Sequence, residues 1–127
     1  MNLIVYSFSS RWPKLLFLSL SRFRFDSRTQ QRVKLTTRVT SPLFLNVSEN
    51  RYELLGIVFH HGSTPEHGHY TSLIRSDTHD SETEWFLTND HIVSTISDQV
   101  MSNIVSGIFP DDDITPYVLL YQLTSLI

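Results

Sequence analysis

There is no cysteine among the 127 residues. That excludes disulfides, thiolate zinc sites and a thiol nucleophile within the chain. Positive charge is not in excess either. Ten Lys and Arg against thirteen Asp and Glu give a formal charge of −3, which leaves no electrostatic footprint for nucleic acid. Long apolar runs are also missing. "MNLIVYSF" and "LLFLSL" are separated by Ser9, Ser10, Arg11, Pro13 and Lys14. Neither run approaches the roughly 18 residues of a membrane span. A secretory leader carries its positive charge ahead of the apolar run, and here Arg11 and Lys14 come after it. The expectation is no targeting segment, no membrane partner and an intracellular setting, in cytoplasm or nucleus. No repeat and no low-complexity stretch divides the chain, so it reads as one domain or a piece of one.

What is present is ordinary for a globular fold: 40% hydrophobic and 18% charged residues. β-character dominates. "KLLFLSLSRFRFD" (14–26) predicts a long strand. Its apolar parity switches near Ser21, from Leu16, Leu18 and Leu20 to Phe23 and Phe25, which predicts a bulge or a start buried on both faces. "DSRTQ" is a polar turn, and "RVKL" returns with Val33 and Leu35 inward and Arg32 and Lys34 outward. Pro42 makes "PLFLNV" a short peripheral segment. "RYELLGIVFHHG" (51–62) is apolar on both parities and reads as a central strand. Further strands are expected at 69–75, 84–90 and 116–123, the last buried at Val118 to Leu120. A polar loop is expected at 76–83. One helix is expected at 97–107, capped by Ser97, charged favourably by Asp98 and ended by Gly107. The fold class is therefore α+β, mainly antiparallel β-sheet with one C-terminal helix.

Chemistry gathers around "EHGHYTSLIR" (66–75). His67 and His69 lie two residues apart and share a strand face, and His60 is close enough through the loop to face them. A histidine metal site is one reading, since imidazole suits zinc, copper, nickel or iron. No carboxylate follows the pair at a ligand spacing, so no metal ligand is assigned and no cofactor is expected. The bland reading, rim or loop histidines, is favoured for His60, His61, His67, His79 and His91. His69 differs in its neighbours. Gly68 before it allows close approach, Tyr70 follows it, and a strand about twenty residues on ends in Asn89 and Asp90. A histidine acting as general base needs a partner on its second ring nitrogen. Asn or Asp supplies one, and alternation lets only one of the two adjacent residues reach. A His–Asn/Asp pair is half of a Cys-His-Asn system.

Five stretches then resemble one family in its own order: "WPKLLFLSLSRFRFD", "QRVKLTTRVTSPLFLNV", "YELLGIVFHHGSTPEHGHYTSLIR", "WFLTNDHIV" and "PYVLLYQ". Together they are similar to the C-terminal part of the ubiquitin-specific proteases, the papain-like cysteine deubiquitinases. The resemblance implies the β-rich (palm) half of that domain over 11–127, with 1–10 unassigned. It implies that His69 is the catalytic histidine, that Asn89 is the third triad member and that Asp90 is the acidic residue beside it. It further implies that Gly68 and Tyr70 line the channel for the ubiquitin tail, and that the 62–68 loop covers that tail. The implied reaction is hydrolysis of the isopeptide bond after the last glycine of ubiquitin, and the implied partner is ubiquitin or a ubiquitinated protein. The departures are as informative. The cysteine box, its oxyanion-hole asparagine and the family's zinc-binding Cys pairs have no counterpart here, and Thr88 stands where the family has Phe. Neither Ser63 nor Ser72 nor Thr71 can replace a thiolate. Ser72 and Thr71 share the strand of the base, whereas a nucleophile should approach from a facing element. The chain alone is expected to be inactive, with the missing N-terminal catalytic half as a further partner. Two alternatives stand beside this: a non-catalytic ubiquitin- or partner-binding module, and a metal-binding β protein.

Overall fold

The computed structural model describes residues 11–76 and 83–126. The unassigned segment 1–10 and most of the expected 76–83 loop, His79 included, lie outside the described residues. In chain order the elements are β1 (Leu15–Ser19), β2 (Phe23–Asp26), β3 (Gln31–Lys34), β4 (Phe44–Val47), β5 (Asn50–His61), β6 (His69–Arg75), β7 (Trp85–Asn89), β8 (Ile92–Thr95), α1 (Asp98–Val105) and β9 (Ile114–Leu126). The main sheet is antiparallel in the order β1-β9-β5-β6-β7-β8, and β2 and β3 form a separate hairpin. Among the described residues the expected α+β class, antiparallel sheet with one late helix, is the observed one.

β5 is the spine. β9 pairs along one edge from Asn50 to His61. The other edge is shared, β4 taking Asn50–Glu53 and β6 taking Gly56–His61. The double-parity apolar run of β5 has a physical origin in a bulge. Leu54 pairs with Tyr121 and Gly56 with Leu120, so one residue of β5 is extra. A bulge flips the side-chain alternation. Tyr52 and Leu54 can then share one core with Ile57 and Phe59, joined by Leu16, Leu18, Leu73, Leu119 and Tyr121. Both buried tyrosines find acceptors for their hydroxyls, Tyr52 on the Pro13 carbonyl at 2.6 Å and Tyr121 on the Pro42 carbonyl at 2.7 Å.

The helix covers this same face with Met101 and Ile104. Ser97 caps it as expected, its hydroxyl accepting from the Val100 N–H at 3.2 Å. The end is a Schellman turn. Gly107 N–H donates to Ile104 and Ile108 N–H to Asn103, with Gly107 at φ 77°.

Three expectations are corrected. The 14–26 strand is two strands in two sheets, because the chain leaves β9 after Leu20 and turns into the hairpin. The parity switch marks this crossing, and Arg22 holds it. Its Nε donates to the Pro116 carbonyl at 3.1 Å, and its Nη1 to those of Leu35 at 3.2 Å and Thr37 at 2.6 Å. Lys34 does not face out. It is 8% exposed, and its Nζ donates to the carbonyls of His60 at 3.3 Å, Gly62 at 2.8 Å and Asp113. The hairpin lies against the end of β5, so the side chain that alternation sends outward from it enters the protein. In β9, burial falls on Thr115, Pro116, Leu119 and Tyr121, with Val118 and Leu120 half-buried. The edge strand β8 was not foreseen. All four of its residues are exposed, so no apolar alternation announces it.

Candidate functional site

The site stands at one end of the β5-β6-β7 ladder. β6 begins at His69 because Gly62 and Gly68 bracket the loop before it. Gly62 has φ 115°, and a Cβ there would lie 2.6 Å from the His67 carbonyl. The loop base is therefore closed backbone to backbone, a place only glycine fits. β7 ends at Asn89, and Asp90 turns the chain into β8 with φ 53°, a left-handed conformation that Asp tolerates better than most residues.

Register does the rest. β6 and β7 pair Ser72 with Thr88, so Thr71 and Asn89 stand on the opposite face from that pair, with His69 two residues before Thr71. On that face His69 Nε2 meets Asn89 Oδ1 at 2.6 Å. An amide oxygen only accepts, so Nε2 carries the proton and Nδ1 keeps its lone pair. The imidazole is thus fixed in one tautomer with a basic nitrogen left over. Of the two adjacent candidates, Asn89 makes this bond. Among the described residues Asp90 makes none with His69. All three side chains are exposed.

His61 pairs with His69 across the ladder, ring centroids 5.8 Å apart. Its Nε2 meets Thr71 Oγ1 at 2.7 Å. Burial, then the charge of His69, pushes the His61 pKa below the usual histidine value. Behind these residues a cavity of about 420 Å³ opens between sheet and helix. Phe59, Leu87, Ile104, Phe109 and Ile114 give it apolar walls, and His61, Thr71 and Asn89 its polar rim.

His60 does not face His69, as a shared metal site would require, and is a core histidine in keeping with the bland reading favoured for it. Adjacent strand residues alternate, and His60 lies on the far side, fully buried. It stacks edge-on against Phe23 and Tyr70, each 5.2 Å away, and Tyr117 closes the group at 5.9 Å from Tyr70. Burial, then Lys34, depresses the His60 pKa. Gly68 and Tyr70 thus sit beside an aromatic cluster on one face while His69 reaches the other. His67 and His91 are exposed loop residues. Among the described residues no three His, Cys, Asp or Glu side chains converge as a metal would require. Nor is any helix there long and apolar enough to cross a membrane.

Two of the hydroxyls considered as nucleophiles, those of Thr71 and Ser72, are engaged elsewhere. Thr71 is bonded to His61, and Ser72 Oγ to Thr88 Oγ1 on the opposite face. Thr88, the departure from the family pattern, therefore has a local partner. The residues sequence reasoning missed here are Arg22, Lys34 and Thr71. A cation flanked by apolar strand residues, as in "RVKL", was the available signal for Lys34; Arg22, preceded by Ser21, carried none.

Comparison with known proteins shows the family. The family model for ubiquitin carboxyl-terminal hydrolase matches residues 7–121. Ubiquitin carboxyl-terminal hydrolase 9 of Saccharomyces cerevisiae is 34% identical over 119 residues, covering 88% of this chain and 15% of its own length. Human ubiquitin carboxyl-terminal hydrolase 35 is 37% identical over 130 residues, covering 89% of this chain and 12% of its own. Among solved structures, the SAGA DUB module of Ubp8, Sgf11, Sus1 and Sgf73 superposes with TM-score 0.69 at 29% identity, covering 91% of this chain and 24% of the matched one. The same module bound to monoubiquitin gives 0.70 at 28%. The chain therefore spans a small part of the relatives it matches. The family model spans most of the chain, and the chain belongs to the ubiquitin carboxyl-terminal hydrolases, a family of cysteine-type deubiquitinases.

Proposed function

We propose that this chain supplies the base and orienting half of a ubiquitin isopeptide hydrolase, with the nucleophilic cysteine coming from outside it. The observation that supports this is the 2.6 Å bond from His69 Nε2 to Asn89 Oδ1. It leaves Nδ1 free as the nitrogen that takes the thiol proton. The thiolate then attacks the carbonyl after the last glycine of ubiquitin. The same Nδ1–H protonates the departing lysine amine, and a thioester remains. Water, deprotonated by Nδ1, releases ubiquitin and restores the thiol. Asn89 holds the ring throughout and stabilises the imidazolium by accepting from Nε2–H. Asp90, one residue into the turn, contributes charge near the site without orienting the ring.

Gly68 and Tyr70 line the path of the ubiquitin tail in this reading, with the 62–68 loop over it. Ubiquitin or a ubiquitinated protein is the partner, as it is for the related module solved with monoubiquitin. In this reading a cysteine-bearing segment packs on the dyad face, where His69 and Asn89 are exposed. The reading carries an intracellular setting with it.

The test is made on the endogenous protein, isolated through peptides from residues 51–75. The expected species is heavier than 14.8 kDa, contains a cysteine-bearing segment and cleaves ubiquitin–amide substrate. The His69→Ala version of that species should lose about 10²–10⁴-fold in kcat. Turnover unchanged by His69→Ala overturns the reading. A single species of 14.8 kDa that binds ubiquitin without cleaving it favours the non-catalytic module.

A further inference from the structure

Gly68 precedes the proposed base directly, and the reason for glycine there is not its backbone. Among the described glycines only Gly62 and Gly107 have left-handed φ values, so the dihedral angle at Gly68 does not call for glycine. What excludes a side chain is the His60 ring. A Cβ at Gly68 would stand 2.1 Å from His60 Nε2, 2.8 Å from Cδ2 and 3.1 Å from Cε1. The ring lies flush against the backbone that feeds into His69.

That ring is itself immobilised. It is fully buried. Phe23 and Tyr70 pack on it from the hairpin and from β6, and Lys34 Nζ takes its carbonyl at 3.3 Å. Neither ring nitrogen has a hydrogen-bond partner among the described residues. A buried imidazole without partners gives up the hydrogen bonds it would make in water, so what remains for it here is shape. Burial, then Lys34, lowers its pKa from the ordinary histidine value.

We propose that His60 is the positioning residue of the dyad: its ring is the stop on which the Gly68 backbone seats, and this fixes where His69 meets Asn89. The proposal rests on His69 being the working base, but its test does not need turnover. A ring that acts as a stop makes a specific demand. Adding a methyl group at Gly68 must displace His69, and shrinking His60 must relieve that displacement.

The experiment uses the full 127-residue chain, isotope-labelled, and reads the nuclear Overhauser contact between His69 Hε1 and the Asn89 side-chain amide. Backbone contacts between Ile57 and Leu73 in the β5-β6 pair serve as the control for folding. Gly68→Ala should lose the dyad contact while the control persists, and the His60→Ala/Gly68→Ala double variant should regain it. His60→Ala alone should weaken the contact, and His60→Gln, of similar reach, should retain it. A Gly68→Ala chain that keeps the dyad contact overturns the proposal, as does a double variant no better than Gly68→Ala. If Gly68→Ala fails to fold, the two His60 variants decide: equal contacts in His60→Ala and the parent overturn it. A chain showing the expected pattern yet failing to engage ubiquitin would sink the functional reading and leave this relation standing.

Discussion

His69 and Asn89 meet across β6 and β7, Nε2 to Oδ1 at 2.6 Å, twenty residues apart in sequence. The bond assigns the tautomer and separates two adjacent candidates that the sequence could not. In the assembled enzyme, Asn89→Ala should lower kcat by about 10²–10⁴-fold, as removing the orienter of a base does. Asp90→Asn keeps a residue that tolerates φ 53° and should leave kcat within about one order of magnitude, far less than the loss of a base. Steady-state kinetics on the two variants check both outcomes. An Asp90→Asn loss as large as that of Asn89→Ala would reverse the assignment.

Lys34 ties three backbone carbonyls, from β5, from the loop before β6 and from the approach to β9. Lys34→Met keeps most of the stem and removes the donor. Buried acceptors left without partners cost about 1–3 kcal/mol, and this substitution should destabilise the chain by about that much. Denaturant melts check it. Because one of the carbonyls belongs to Gly62, the 62–68 loop should also exchange its amides faster. A Lys34→Met chain as stable as the parent would mean the network is dispensable.

How much of this was legible beforehand follows from which signals are local. β6 was legible to the residue, since glycine and polar stretches bound it. The helix was legible through Ser97 and Gly107, a cap and a stop that act within a few residues. The His69–Asn89 pair was legible as a pair, because a strand ending in Asn-Asp twenty residues on is a pattern. Which partner bonds was not, because register and the Asp90 turn decide it. Lys34 was misread because alternation tells only which way a side chain leaves its own strand. It cannot tell that another sheet waits there. β8 was missed because an edge strand with both faces exposed carries no periodicity.

Gly107 is a second glycine with no room, and for a different reason from Gly68. Its φ of 77° is left-handed, and a Cβ would meet the Val39 carbonyl at 2.6 Å. Gly107→Ala therefore pays in both strain and contact. The expected loss is about 1–3 kcal/mol, read by thermal denaturation. Ser97→Ala at the other end of the helix should lose about 1 kcal/mol. The helix carries Met101 and Ile104 into the core, so both changes should loosen the wall of the 420 Å³ cavity beside Asn89.

Acid should destabilise this fold through two neighbouring histidines. Burial depresses both His60 and His61, His60 with Lys34 next as cause and His61 with His69 next. Asp113 opposes the shift at both, and Asp111 at His61. A depressed histidine binds its proton more readily unfolded than folded. The unfolded chain therefore takes up more protons, and stability rises with pH. The contribution is complete above the unfolded value of about 6.5. It is lost as pH falls through that value, and the loss continues until the folded pKa values are reached. Melting temperatures should fall between pH 7.5 and pH 5.5, and the fall should be shallower in His61→Gln. His60→Gln should also be shallower, whatever its stability at neutral pH, because the slope counts protons and not contacts. A parent slope unchanged in both variants would mean that the carboxylates, and not these two rings, set the acid limit.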